Sequence, residues 1–268
     1  MTGPRGRKQH RVWDLDEAVR RASMHGGQIA LELFSGSGNL SRAWRRSCLR
    51  HIEIVEVDIR HGAHLDLLNE TLVRKIRGWA RAGLIAAVWL APPCSSFSAL
   101  RCLFSPVRSR AFPLGLPSLS PSDQRVVNVA NRLCIVASSL LDLCRRLNIP
   151  CVVENPHTSL LWNVKAFENL AKTRGVEVCV TDYCAWGTPW RKRTRFLFTH
   201  LSCNSLGKTC CGRGVCSFSG KRHVEIIGNH PNGVKYSKLS EPYPPRLCAA
   251  FVRSFADAIF RPLPQSFG

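Results

Sequence analysis

In WLAPPCSSFS, residues 89–98, a cysteine stands behind two prolines. Pro92 and Pro93 fix the approaching backbone and remove two N–H donors, so the Cys94 thiol is held in one place. Small polar residues follow and leave room for a flat group against the sulfur. A rigid, accessible thiol serves nucleophilic catalysis; the plain alternative is a buried cysteine at a strand end. Glu154, in CVVENPH, is a second candidate, because a carboxyl closing an apolar run is costly unless paired or put to use.

LELFSGSGN sets Gly36 and Gly38 right after another apolar run, where glycine allows a tight turn and close approach to a ligand. Asp58 closes IEIVEVD, where a doubly wound fold puts the carboxylate that accepts hydrogen bonds from a ribose. No GKS or GKT follows the glycines, which argues against a phosphate-cradling loop. Asp66, in HLDLL, fits either a bond to an adenine amino group or an acid at a helix N-terminus. In GTPWRKRTRF, Arg193 and Arg195 alternate into a strand and project to one face, while Arg191 and Lys192 read as solvated.

Cys203, Cys210, Cys211, Cys216 and His223 cluster in a short segment, with His230 beyond. Soft ligands in a core-poor module fit a structural zinc, although the spacing lacks Cys-x2-Cys hooks. Free thiols in a reduced module are the other reading.

Elements that would position these residues follow from periodicity. QIALELF, IEIVEVD, LIAAVWLA, IPCVVEN, VEVCVTDY and TRFLFT read as strands. Helices are expected over 14–24, 40–50, 66–82, 120–147 (Ser120 as N-cap, Pro121 at the first position), 164–173 and 244–259. The alternation argues for an α/β fold, a mostly parallel sheet covered on both faces, with a small Cys-rich insert. Residues 99–119 form a long punctuated loop, and its Arg101, Arg108 and Arg110 are candidates for closing over a bound nucleotide. The organisation expected is a basic arm and short helix over 1–27, a core over 28–201, the insert over 202–240 and a closing helix over 241–268.

The 268 residues carry 38 Lys+Arg against 18 Asp+Glu, a net charge of +20. Such a surplus points to a polyanionic partner: nucleic acid, with an acidic membrane surface as the rival. No basic amphipathic helix with an aromatic face appears, which favours nucleic acid. The first residues lack the apolar core of a signal peptide, and no run of 18 apolar residues occurs. The chain is therefore expected to be intracellular with its 13 cysteines mostly reduced. A monomer is compatible with all of this.

In this order, FSGSG, the acid of EVD, HLD, PPCSSFS, ENP and GTPWRKRTR resemble the DNA cytosine-5 methyltransferase family, over about residues 28–200. The resemblance implies a Rossmann-like methyltransferase sheet and S-adenosylmethionine as cofactor, bound by Phe34, Gly36, Gly38, Asp58, Asp66 and Pro92. It also implies Cys94 as nucleophile, Glu154 as the acid contacting the target base, and Arg193 and Arg195 as supports. The family usually has Gln where this chain has Ser95, Val at Pro156 and Gln at Trp190, and its closing Gly-Asn-Ser-Val motif has no clear counterpart. Besides DNA methylation, methylation of cytosine in RNA and an inactive nucleic-acid-binding module of the same fold remain open.

Overall fold

Six apolar runs pair into one sheet of order β2-β1-β3-β4-β6-β5 in a computed structural model that describes residues 14–98, 105–202, 204–212 and 214–260. The strands are β1 Ile29–Leu33, β2 Glu53–Val57, β3 Ile85–Leu90, β4 Cys151–Pro156, β5 Glu177–Asp182 and β6 Arg193–Thr199. β2, β1, β3 and β4 are parallel neighbours. β6 lies antiparallel between β4 and β5, so it alone runs against the rest.

Both faces of the sheet are covered, which is why the central strands are almost uninterrupted apolar runs. On one face Leu31, Val55, Val88 and Val153 meet α1 (Leu15–Met24), α3 (Glu70–Arg81), α4 (Pro121–Arg146) and α5 (Lys165–Lys172). On the other, Ala30, Ile54, Trp89, Val152 and Phe196 meet α2 (Asn39–Arg45) and α7 (Pro245–Phe260). Trp89 is the pivot of that second layer, edge-on to Phe251 at 4.8 Å and to Tyr243 at 5.3 Å. α4 is long and apolar enough to cross a membrane, but its buried row, from Val127 to Cys144, packs in the first layer.

Two helices depart from their expected limits for local reasons. α3 starts at Glu70, not 66, because the Asn69 side chain caps the amides of Thr71 and Leu72, a contact worth about 1 kcal/mol. α2 stops at Arg45, and a separate 3-10 turn, Cys48–His51, follows with Ser47 as its cap. α4 begins as expected, with the Ser120 hydroxyl accepting from the Asp123 amide at 3.1 Å. Among the described residues of 204–240 there are only the single turn α6 (Tyr236–Leu239) and the isolated bridges Val215–Arg222 and Asn229–Lys235.

Candidate active site

All four parallel strands end at one edge, and β1 and β3 there lead in opposite directions across the sheet. That crevice is the topological switch point, where open α/β sheets bind ligands. A cavity of about 650 Å³ opens in it, lined by Phe34, Gly36, Asp58, Asp66, Pro92, Cys94 and Glu154 among others. Its volume suits a nucleoside-sized ligand.

Gly36 and Gly38 both have positive φ, 56° and 65°. Gly36 lines the cavity and donates its amide to Asp58 Oδ2 at 2.9 Å. Gly38 caps α2 outside the lining; a Cβ there would stand 2.7 Å from Glu56 Oε2, so the glycine is required by a buried carboxylate behind it. Asp58 Oδ1 also accepts the Arg60 amide at 3.0 Å. Burial pushes the Asp58 carboxyl up, but the Arg60 and Gly36 amides and the Arg60 guanidinium outweigh it and hold the pKa below the ordinary range. Asp66 lines the cavity while accepting the Leu68 amide at 2.9 Å.

Beneath this loop lies Glu32, fully buried, with Oε2 accepting the amide and hydroxyl of Ser41. Burial, together with the charge of Glu56, raises its pKa from 4.5 to about 7 against the opposing hydrogen bonds.

Cys94 and Glu154 leave adjacent parallel strands at the same edge. Asn155 Nδ2 donates to the Pro92 carbonyl at 2.8 Å, so the strand that carries the acid also fixes the turn that carries the thiol. The Cys94 pKa is raised by burial and by the charge of Glu154, with Lys192 opposing, so the resting group is a thiol. Burial likewise raises the pKa of Glu154, opposed by Lys192 and by a hydrogen bond from Tyr243. Tyr243 Oη donates to Oε2 of Glu154 at 2.9 Å, and Trp89 Nε1 donates to the same hydroxyl at 3.3 Å. Oε1 of Glu154 is buried and has no hydrogen-bond partner among the described residues.

No protein-family model and no curated protein matches the chain. Among solved structures it is similar to a methyltransferase of Entamoeba histolytica, EhMeth, at 13% identity and a TM-score of 0.39. The likeness covers 76% of this chain, which spans 61% of that one. At that identity and score it bears on neither activity nor substrate, which have to come from the cleft.

Arg193 and Arg195 do not line the cavity. Arg193 makes a two-bond pair with the fully buried Asp182, at 2.8 and 2.9 Å. Arg195 stacks over Trp162 with its guanidinium carbon 5.0 Å from the ring centre. Lys192, expected to be solvated, is the basic residue of this stretch that faces the cleft, and its Nζ donates to the Ser240 carbonyl at 3.1 Å.

Arg108 corrects the expectation of a closing loop. It is 1% exposed, stacks 3.8 Å over Phe97, and donates to Ser96 Oγ, the Val127 and Pro113 carbonyls and Asn131 Oδ1. It is a strut between the Cys94 turn and α4. Arg110 is exposed, and Arg101 lies outside the described residues.

Of the cysteine cluster, Cys210, Cys216 and His223 do converge, and they are joined by Cys184, which spacing alone did not single out. Cys211 is not part of the group: it is exposed, and its amide is bonded to Ser217 Oγ. Cys203 lies outside the described residues.

Tyr243 was also missed. Its signal is EPYPP, an aromatic residue set among prolines just before a helix, which repeats the PPC device seen at Cys94.

Proposed function

We propose that the cleft binds S-adenosylmethionine and methylates C5 of cytosine in DNA. The observation that carries this reading is the pairing of Cys94 with Glu154 at the switch point, Glu154 having one oxygen bound by Tyr243 and the other free. The lining fits the cofactor: Asp58 closes β2 where a ribose would sit, and the neighbouring Ile59, 60% exposed, offers an apolar surface to a base. When bound, S-adenosylmethionine supplies an electrophilic methyl group to C5.

C5 of cytosine is a poor nucleophile until sulfur adds to C6, the Cys94 thiol giving its proton to solvent in the open cleft as it does so. Addition by Cys94 makes N3 the atom that takes a proton, and burial, by raising the pKa of Glu154, suits that carboxyl to donate it. Tyr243 holds that carboxyl in place through Oε2. Once C5 carries the methyl group, loss of its proton to water forms the C5–C6 double bond and breaks the C6–S bond, leaving Cys94 as a thiolate that regains a proton from solvent and returning the N3 proton to Glu154. Lys192 stabilises the thiolate that forms and reforms. The target base has to leave its stack to reach the thiol, and the +20 charge provides the grip on the backbone meanwhile.

Transfer of labelled methyl to DNA and to RNA, followed by base analysis, tests the reading directly. 5-Methylcytosine in DNA is expected, and a DNA duplex containing 5-fluorocytosine should trap a covalent adduct on Cys94. An adduct on another cysteine, turnover that survives Cys94→Ser, or methylation confined to RNA would overturn it in mechanism or substrate.

A further inference from the structure

We propose that Cys184, Cys210, Cys216 and His223 hold a structural zinc ion that staples the 204–240 segment to the end of β5. Their four ligand atoms lie within 4.8 Å of one another, the three cysteines buried and the histidine half-buried. Tetrahedral zinc, about 2.3 Å from sulfur and about 2.0 Å from nitrogen, implies a sulfur–nitrogen edge of about 3.5 Å. Cys210 Sγ and His223 Nε2 are 3.7 Å apart. Three sulfurs and one imidazole fill all four positions, the closed set of a structural site.

The surroundings treat two of these sulfurs as ligand thiolates. Cys210 Sγ accepts from the amide and hydroxyl of Ser217 at 3.4 and 3.2 Å, and Cys216 Sγ from the Phe218 amide at 3.4 Å. The three buried sulfurs converge on one imidazole, with ligand atoms close enough to share a single cation. A disulfide would use two sulfurs and strand the third against the imidazole.

The segment also needs a staple. Val215, Phe218, Val224, Ile227 and Val234 are all exposed, and its buried apolar side chains amount to Leu206, Cys210 and Cys216 among the described residues. A segment with so little core is held by ligands or not at all.

Cys184 is the residue that makes the site a joint, because it belongs to the 3-10 turn Tyr183–Trp186 directly after β5. Asp182, just before it, accepts the Cys210 amide at 2.7 Å and pairs with Arg193 and Arg191. The ion thus fixes the residues that flank Lys192 at the cleft.

Metal analysis of the full chain purified without chelator tests this independently of any methyl transfer. About one equivalent of zinc is expected. Cobalt substitution should give an intense thiolate charge-transfer band, diminished by about a third in Cys184→Ser. Cys184→Ser should retain zinc at least about a hundredfold more weakly, since even outer-shell changes cost 10- to 100-fold. Cys211→Ser should match wild type, and His223→Cys should keep the metal in a four-sulfur set. Less than about a tenth of an equivalent in folded wild-type protein, zinc bound as tightly by Cys184→Ser, or a disulfide among these cysteines by mass spectrometry would overturn the proposal.

Discussion

In the cleft, each candidate side chain sits within a few residues of a strand whose backbone the sheet has already fixed: Asp58 after β2, Cys94 after β3, Glu154 inside the end of β4. In 204–240 the order is reversed. The described backbone there has two isolated bridges and one helical turn, and four side chains converge at its root. In the first region the backbone places the chemistry. In the second, side-chain chemistry places the backbone. A substitution in the cleft should therefore alter rate and leave the fold intact, while one at the joint should alter stability first.

The largest test of that contrast is Glu154→Gln. Gln keeps an acceptor for Tyr243 but has no proton to give, so turnover should fall several hundredfold, within the usual range of acid–base assistance. Thermal unfolding should stay close to wild type. A large loss of stability would mean that the cleft, too, depends on its side chains.

Asp182→Ala works the other way. It leaves Arg193, Arg191 and the Cys210 amide without their shared partner. Burial alone would push Asp182 up, but Arg193, the Cys210 amide and Arg191 hold its pKa below the ordinary carboxylate range. Asp182 is buried but both arginines are partly exposed, so the loss should cost about 1–3 kcal/mol, to be read from denaturant unfolding. A cost under about 1 kcal/mol would show that the joint does not depend on this pair.

Glu32 sharpens the contrast through pH. Its pKa is about 7 in the folded chain against an ordinary 4.5, so the folded state binds the extra proton. The stabilisation is complete below pH 4.5 and is lost as pH rises through 7, a change on the order of 3 kcal/mol. Glu32→Gln lacks this titration, so its stability relative to wild type should improve by that order between pH 4.5 and 8. A constant difference across that range would remove Glu32 from the account.

Tyr243→Phe is the mildest change. Losing one hydrogen bond to Glu154 should cost about 1 kcal/mol, or roughly fivefold to tenfold in turnover, with binding of S-adenosylmethionine unchanged. An unchanged rate would mean that the β-strand alone orients the carboxyl.

The strands and the placement of Cys94 and Glu154 at strand ends were legible because they obey local rules. A strand buried on both faces is an apolar run, and prolines around a cysteine or a carboxyl are visible without a fold. Residues placed by distant contacts were not legible. Cys184 meets Cys210 across 26 residues and Tyr243 meets Glu154 across 89, distances at which no periodicity carries information. Lys192 reads like its basic neighbours, and only the course of β6 separates it from Arg193. Arg108 was misread for a different reason: a buried arginine saturated by side-chain and backbone acceptors is uncommon, so its charge suggested solvent. Helix α3 began late because one capping asparagine outweighed the apolar spacing before it.

The hydrogen bond from Tyr243 to Glu154 has a consequence for the life of the chain. A ribosome delivers the thiol, the acid and the glycine turn long before it delivers residue 243 and the helix that follows. Until then β3 lacks its cover on one face, where Trp89 packs on Phe251, and Oε2 of Glu154 lacks its donor. A nascent chain would thus hold Cys94 in an unfinished cleft until Tyr243 and α7 have emerged. Synthesis itself would set the order in which the cleft is completed.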